Sequence, residues 1–279
     1  MAYLGTLNTA TSALQSFSQG LNDVGNNIAN VNTTAFKATT ASYADTFSGL
    51  GVQVAANSTD FTQGSLTTTG VPTDLAISGN GYFLLQNPSI PAQIFATRDG
   101  KFTLDPNGYL VNTLGYRVMG NDPLNNSGLP SSPSDNVPVR VHYPDTSSGL
   151  TIASVAIDAN GYLQETLSSG QKATSAIPQV LLCKFNSPQQ LQGVGNNLFT
   201  NLAAAGPAGT NGTTLTALQN APGSNGLGTI QSGCVEASNV DLTTQFTNMI
   251  TLQRAFDANA HVVTVTDTLM QTITDLKRS

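Results

Sequence analysis

The first thirty-three residues carry an apolar seam. Leu7, Leu14, Leu21 and Ile28 fall seven apart, and Ala10, Phe17, Val24 and Val31 follow each by three. Positions spaced alternately by three and four lie on one face of an α-helix, and over several heptads they make the seam of a coiled coil. The spacing predicts a helix over residues 7–31, about 37 Å long at 1.5 Å per residue. The last forty residues repeat the theme. Leu242, Met249, Phe256, Val263 and Met270 lie at sevens, with Phe246, Ile250, Leu252, Leu269, Ile273 and Leu276 widening the stripe. Ser238 or Asn239 is expected to cap this second helix. Asp241 would sit in its first turn and Lys277 and Arg278 at its end, the signs favoured by the helix dipole.

Between the seams the period switches to two and turn signals multiply. Asn-Gly-Tyr occurs three times, at residues 80–82, 107–109 and 160–162, and Asp99-Gly100 adds another turn. Asn-Gly between alternating apolar residues signals a hairpin, because both turn residues need positive φ. The fold class expected is therefore α+β, with discontinuous N- and C-terminal helices joined in a coiled-coil domain and a hairpin-rich β domain between them. The expected boundaries are a helix over 1–33, an extended connector over 34–70, a β domain over 71–235 and a helix over 236–279. Residues 121–137 and 203–228 are rich in loop-forming residues, and 143–171 is read as a possible small extra domain.

Composition changes the picture of the helices. Charged residues make up 9% of the chain, against about 25% in ordinary globular proteins. Asp23 is the single charge between residues 1 and 36, so the first helix would show water only Ser, Thr, Asn, Gln and Gly. Such a surface resists association weakly unless other subunits cover it. Alone, with Gly20 and Gly25 in its interior, that helix would be marginal. The net charge of −6 removes the basic footprint of a nucleic-acid or anionic-membrane binder. No apolar run approaches the ~18 residues of a membrane helix, and no secretory leader pattern opens the chain.

Little is left for catalysis. No phosphate loop, dinucleotide fingerprint or nucleophile elbow is present. His142, His261, Cys183 and Cys234 form no local metal or acid–base pattern, and the cysteines read as free thiols or one bridge. Asp105-Pro106-Asn107-Gly108 and Asp158-Ala159-Asn160-Gly161 resemble the start of a calcium loop. Their fifth positions, however, are Tyr109 and Tyr162 rather than carboxylate or carboxamide ligands. No metal, cofactor or enzymatic activity is expected.

Specific motifs then point to a family. Leu21-Asn22-Asp23-Val24-Gly25-Asn26-Asn27-Ile28-Ala29-Asn30-Val31-Asn32-Thr33-Thr34-Ala35-Phe36-Lys37 resembles the N-terminal signature of the bacterial flagellar rod and hook family. Residues 74–83, 97–102, 195–199, 236–242 and 249–256 match that family in order. Asn26, Asn27, Asn30, Phe36, Asn239 and Arg254 are the motif residues carried over. Residues 41–52 and the end at 274–278 are similar to the hook branch. The short stretch 143–171 departs from it, because hook subunits usually insert an outer domain there.

The resemblance implies a structural subunit of the flagellar hook, the flexible joint that passes torque from rod to filament; the alternative is a distal or proximal rod subunit. Its partners would be further copies of itself in a helical tube, the rod, the hook cap, the hook–filament junction proteins and the export apparatus. Nucleic acid and membrane insertion are not expected. It would be placed in the extracytoplasmic flagellum, exported without a cleaved signal, its termini folding only on polymerisation. The assembly residues expected are Leu7, Leu14, Phe17, Leu21, Val24, Ile28 and Val31 at one end. At the other they are Leu242, Phe246, Met249, Ile250, Phe256, Val263, Met270 and Ile273.

Overall fold

The computed structural model describes residues 2–46, 51–122, 137–141, 152–167, 177–207 and 219–278. The chain is α+β and divides into two compact units. One contains residues 1–33, 37–62 and 238–279; the other contains 34–36 and 63–237.

The helical unit is built on α1 (Ala2–Ala29) and α2 (Leu242–Arg278). Helix α1 ends earlier than the seam predicts, and Val31 lies in the turn that follows it. The cause is local. Asn30 Nδ2 donates to the Asn26 carbonyl at 2.9 Å, and Thr33 Oγ1 donates to Asn30 Oδ1 at 3.1 Å, side-chain bonds that compete with helix continuation. The helices run antiparallel: Asn27 Nδ2 donates to Gln245 Oε1 at 3.2 Å, and Gly20 lies against Leu252. At 37 residues α2 is longer than the 28-residue α1, so its C-terminal end runs on past the start of α1.

Helix α2 is capped by Asp241, not by Ser238 or Asn239. The Thr243 N–H donates to Asp241 Oδ1 at 2.9 Å and the Thr244 hydroxyl to Oδ2 at 2.8 Å. These bonds lower the Asp241 pKa, since they favour the ionised carboxylate. Replacing Asp241 by alanine is expected to lower the thermal midpoint of the helical unit, because the first-turn Thr243 N–H and Thr244 hydroxyl lose their acceptor. Thermal unfolding followed by far-UV circular dichroism measures this, and an unchanged midpoint would exclude the cap.

The segment 34–70 is not an extended connector. It holds an antiparallel hairpin of β1 (Thr39–Asp45) and β2 (Val52–Thr59), which belongs to the helical unit. Its strands are Thr-, Ala- and Asn-rich and would not pair stably alone; the helix anchors them. Ser16 Oγ donates to the Val52 carbonyl at 2.9 Å, and the Val52 N–H donates to Ser12 Oγ at 3.3 Å. A bulge between Ser42 and Tyr43 accompanies an edge-on contact of the Tyr43 ring with Phe17, centroids 5.8 Å apart. The interior Gly20 has its reason here, because a Cβ at that position would collide with the Tyr43 hydroxyl.

The second unit opens with β3 (Leu66–Thr68), β4 (Leu75–Ser78), β5 (Tyr82–Asn87), β6 (Ile90–Thr97), β7 (Thr103–Leu104), β8 (Leu110–Val111) and β9 (Arg117–Asn121). Later strands are β10 (Val137–Pro138), β11 (Ile152–Ile157), β12 (Leu163–Leu167), β13 (Gln179–Val180), β14 (Leu182–Cys183), β15 (Gln192–Gly195), β16 (Leu198–Thr200), β17 (Gln219–Asn220), β18 (Thr229–Ser232) and β19 (Cys234–Glu236). Strand β5 is central: it pairs with β6, β9 and β14, and its first four residues are all buried. A strand covered on both faces loses the apolar–polar alternation. Leu75, Ile77, Phe83, Phe102, Leu110, Leu182 and Ile230 form the heart of the core, with the Phe83 and Phe102 rings edge to face at 5.2 Å.

Two of the three Asn-Gly-Tyr sites are tight hairpin loops and one is not. In Asp105–Tyr109 the carboxylate Oδ1 accepts the N–H groups of Asn107 at 2.9 Å and Tyr109 at 2.7 Å. Asp158 does the same for Asn160 and Tyr162. This is a turn closed by its own first side chain, and it accounts for both Asp-x-Asn-Gly motifs without calcium. A third copy sits at Asn112–Tyr116, where Asn112 Oδ1 accepts from Leu114 and Tyr116. The common pattern is thus Asp or Asn, two residues, then Gly-Tyr. Gly81 has Ser78 at the decisive position, and Asn80-Gly81 joins strands that do not pair with each other: β4 pairs with β18, not β5.

The proposed extra domain at 143–171 is only partly within the described residues. There, β11 and β12 form one hairpin whose Ile157 and Leu163 enter the common core.

Candidate assembly surface

In the helical unit the face of α1 that is buried is made of small and polar residues. Ala10, Ala13, Ser16, Gly20, Val24 and Asn27 are buried, while Leu7, Leu14, Phe17, Leu21 and Ile28 are only half-buried. Small side chains let the hairpin and α2 approach closely; larger ones at those positions would hold them apart. Of the expected N-terminal seam, Ala10 and Val24 lie fully inside, and Val31 is outside the helix. The buried face and the leucine seam are therefore different faces of α1.

Helix α2 divides in the same way. Gln245, Met249, Leu252, Phe256, Asn259, Val263 and Thr266, spaced by four and three, are buried or half-buried, with the half-buried Ala255 and Ala260 beside them. Met249, Phe256 and Val263 of the expected seam are among them. Leu242, Phe246, Ile250, Met270 and Ile273 are exposed, and Val262, Val265, Leu269 and Leu276 join them. Nine of the sixteen large exposed apolar side chains among the described residues thus lie on this one helix. A concentration of that kind marks an interaction face.

The polar part of these helices is suited to burial. Thr9, Thr11, Thr247, Thr251, Thr266, Thr272 and Thr274 each donate the hydroxyl to a carbonyl one turn back, at 2.7 to 2.9 Å. A hydroxyl already bonded within its own helix leaves no unsatisfied donor when a neighbour displaces water. Lys or Glu at those positions would require a charged partner in the interface.

Two of the motif residues, Asn27 and Asn239, act as clamps. Asn27, 1% exposed, accepts the Thr39 N–H on Oδ1 at 2.9 Å and donates Nδ2 to the Thr39 carbonyl at 2.8 Å, as a neighbouring strand would. Asn239 accepts the Ala38 N–H at 2.8 Å and donates to the Asp60 carbonyl at 2.8 Å. Asn26 and Asn30 bond to each other on the half-exposed side of α1. Phe36 is half-buried beside Ala35, which stands in the left-handed region at φ 56° and donates its N–H to the Glu236 carbonyl. Arg254 and His261 are exposed on α2; His142 lies outside the described residues.

In the sheet unit, three motif segments meet at a buried ion pair that the sequence did not single out. Arg98 Nη1 lies 3.2 Å from Glu236 Oε2, with side chains 5% and 0% exposed. Arg98 Nη2 donates to the Gly79 carbonyl at 2.9 Å, and Glu236 Oε1 accepts the Gly64 N–H at 3.0 Å. The guanidinium also stacks 5.2 Å from the Tyr82 ring centre. Burial pushes the Tyr82 phenol up to about 12. Burial likewise raises the Cys183 thiol to about 12, so it is no nucleophile at neutral pH; Cys183 and Cys234 are both free.

Three family descriptions match the chain. Residues 7–37 match the flagella basal body rod protein family, residues 76–165 the D1 domain of flagellar hook protein FlgE/F/G, and residues 231–276 the C-terminal region of the basal body rod proteins FlgEFG. The chain is 31% identical to the flagellar basal-body rod protein FlgG of Bacillus subtilis, over 99% of this chain and 100% of that one. It is 30% identical to the FlgG of Buchnera aphidicola from Acyrthosiphon pisum, over 92% and 93%. With the flagellar hook protein FlgE of Escherichia coli it shares 27%, over 96% and 99%. On this identity across nearly the whole length, the chain belongs to the bacterial flagellar rod and hook family of structural, non-catalytic proteins.

Proposed function

We propose that this chain is a rod subunit of the flagellar basal body, which polymerises with copies of itself through its terminal helices. The observation that carries the choice of rod over hook is length. The alignment with the rod protein of Bacillus subtilis spans 296 positions, near the 279 residues of this chain. The alignment with the Escherichia coli hook protein spans 399. The hook relative therefore carries a long stretch with no counterpart here. The hook-like residues at 41–52 and 274–278 favour the other reading, in which the tube is a flexible joint. They lie in the helical unit.

Polymerisation rests on the uncovered apolar face of α2 and the leucine face of α1. A repeated head-to-tail contact gives an open helical filament unless the rotation closes a ring. Neighbouring rod components and the export apparatus are the partners this reading assigns.

Electron microscopy of the full chain under salting-out conditions, beside a variant lacking residues 1–33, tests both levels. Straight tubes from the full chain and none from the truncation are expected. Supercoiled tubes would favour the hook, and monomers at every concentration would exclude the polymer.

A further inference from the structure

Helix α1, the hairpin and α2 surround an open cleft of about 220 Å³, lined by Asp23, Tyr43, Gln245, Asn248 and Leu252 among others. Asp23 is the single charged residue of α1. Its Oδ2 is closed to solvent and has no hydrogen-bond partner among the described residues. A shielded carboxylate oxygen with its bonds unmade is costly, and a cation seated beside it would recover that cost. Burial raises the Asp23 pKa, and the Asp23 charge adds to the burial that raises the Tyr43 phenol. The other polar side chains in the cleft, Thr39, Thr40, Tyr43, Gln245, Asn248 and Thr251, bring no positive charge, so among the described residues the lining holds a negative charge and no countercharge.

Four of the chain's basic residues lie in the helical unit: Lys37, Arg254, Lys277 and Arg278. Lys37 is buried and donates Nζ to the Thr62 carbonyl at 2.6 Å. Arg254 is held mid-helix on the same copy. Lys277 and Arg278 stand at the end of α2, on the part that outruns α1. The antiparallel register sets Asp23 level with about Met249, so the basic end of the same copy is about 42 Å away along the helix axis. It cannot fold back to its own cleft.

We infer that the Asp23 cleft receives the basic C-terminal end of α2, Lys277-Arg278, from a second copy displaced along the helix axis. This rests on the polymerising reading above and names one of its contacts. The apolar faces then supply the bulk of the adhesion, and the Asp23 contact fixes the axial register. An acid with one oxygen closed to solvent rejects misaligned neighbours, whose Leu or Thr side chains would leave it unpaired.

The test is the critical concentration for polymerisation of the full chain at about 0.1 M salt, where a shielded pair is screened little. Asp23→Lys and the pair Lys277→Asp/Arg278→Asp are each expected to raise it at least tenfold. The variant combining all three changes is expected to return to within about threefold of the unchanged chain. The substitutions at 277 and 278 lie at a helix end, so they remain informative even where Asp23→Lys fails to fold. Normal assembly of Lys277→Asp/Arg278→Asp would overturn the inference, as would rescue of Asp23→Lys by Arg254→Asp instead. An unchanged chain that never polymerises would remove the polymer reading itself, a different result from normal assembly of the charge variants.

Discussion

Replacing Arg98 by alanine will lower the stability of the sheet unit by about 3–5 kcal/mol. Glu236 is fully buried and Arg98 supplies its countercharge at 3.2 Å, so the substitution leaves a carboxylate in a low-dielectric site. The Gly79 carbonyl loses its donor as well, and Tyr82 loses the cation over its ring. Replacing both members, Arg98→Met with Glu236→Leu, should cost clearly less than the single change, because no charge is then stranded. Urea unfolding followed by tyrosine fluorescence measures both. A single-variant loss under about 1 kcal/mol would mean that water reaches the pair. The pair joins the segment before β7 to the end of β19, and β19 is the last strand before Ser238 and α2. Weakening it is therefore expected to loosen the sheet unit at the strand from which the C-terminal helix departs.

Asn27→Leu will cost the helical unit about 2–4 kcal/mol. The leucine keeps the volume but leaves the Thr39 N–H, the Thr39 carbonyl and Gln245 Oε1 without the partner that Asn27 provides. Each buried polar group stranded in this way costs about 1–3 kcal/mol, and Thr39 is only half-buried, which moderates the sum. Asn26→Leu, one residue away, is the control: Asn26 is exposed and its side chain accepts from Asn30, just past the end of its own helix, so a change under about 0.5 kcal/mol is expected. The loss of helical circular dichroism on heating compares the two. Equal midpoints would show that the asparagine clamp contributes nothing and that the hairpin is held by other contacts. Hairpin detachment would also open one wall of the Asp23 cleft, so Asn27→Leu is expected to weaken polymerisation beyond its effect on folding.

The helices could be read from the chain because their cause is local and periodic. Leu7 to Ile28 and Leu242 to Met270 repeat at sevens whatever surrounds them. The same pattern did not say which face each helix would bury. In α1 the residues that go inside are Ala10, Ala13, Ser16, Gly20 and Asn27, chosen by closeness of approach rather than by hydrophobicity. The leucines were legible as apolar, but only the packing of hairpin and α2 shows that they are left half-exposed.

The turns divide along the same line. Asp105-Pro106-Asn107-Gly108-Tyr109 and Asp158-Ala159-Asn160-Gly161-Tyr162 close on their own first side chain, so sequence is enough to place them. Asn112 to Tyr116 was legible by the same rule, had the residue three before Gly been weighed instead of the Asn-Gly dipeptide. Asn80-Gly81 fails that rule, and its flanking strands find partners far away.

What the sequence determined by itself is what neighbours along the chain can enforce: two seamed helices, a β-rich middle, self-closing loops and a first helix with a single charge. The family motifs were legible as well, as a signature without a geometry. The tertiary structure decided everything that joins residues far apart in sequence. It paired Arg98 with Glu236, set Asn27 on the Thr39 backbone and Asn239 on Ala38, and turned a polar segment into a hairpin. It also set Asp23 in a cleft whose described lining holds no cation. Such pairings have no period and no local signal. Their energy appears only when burial removes water from both partners at once, and burial is a property of the folded chain.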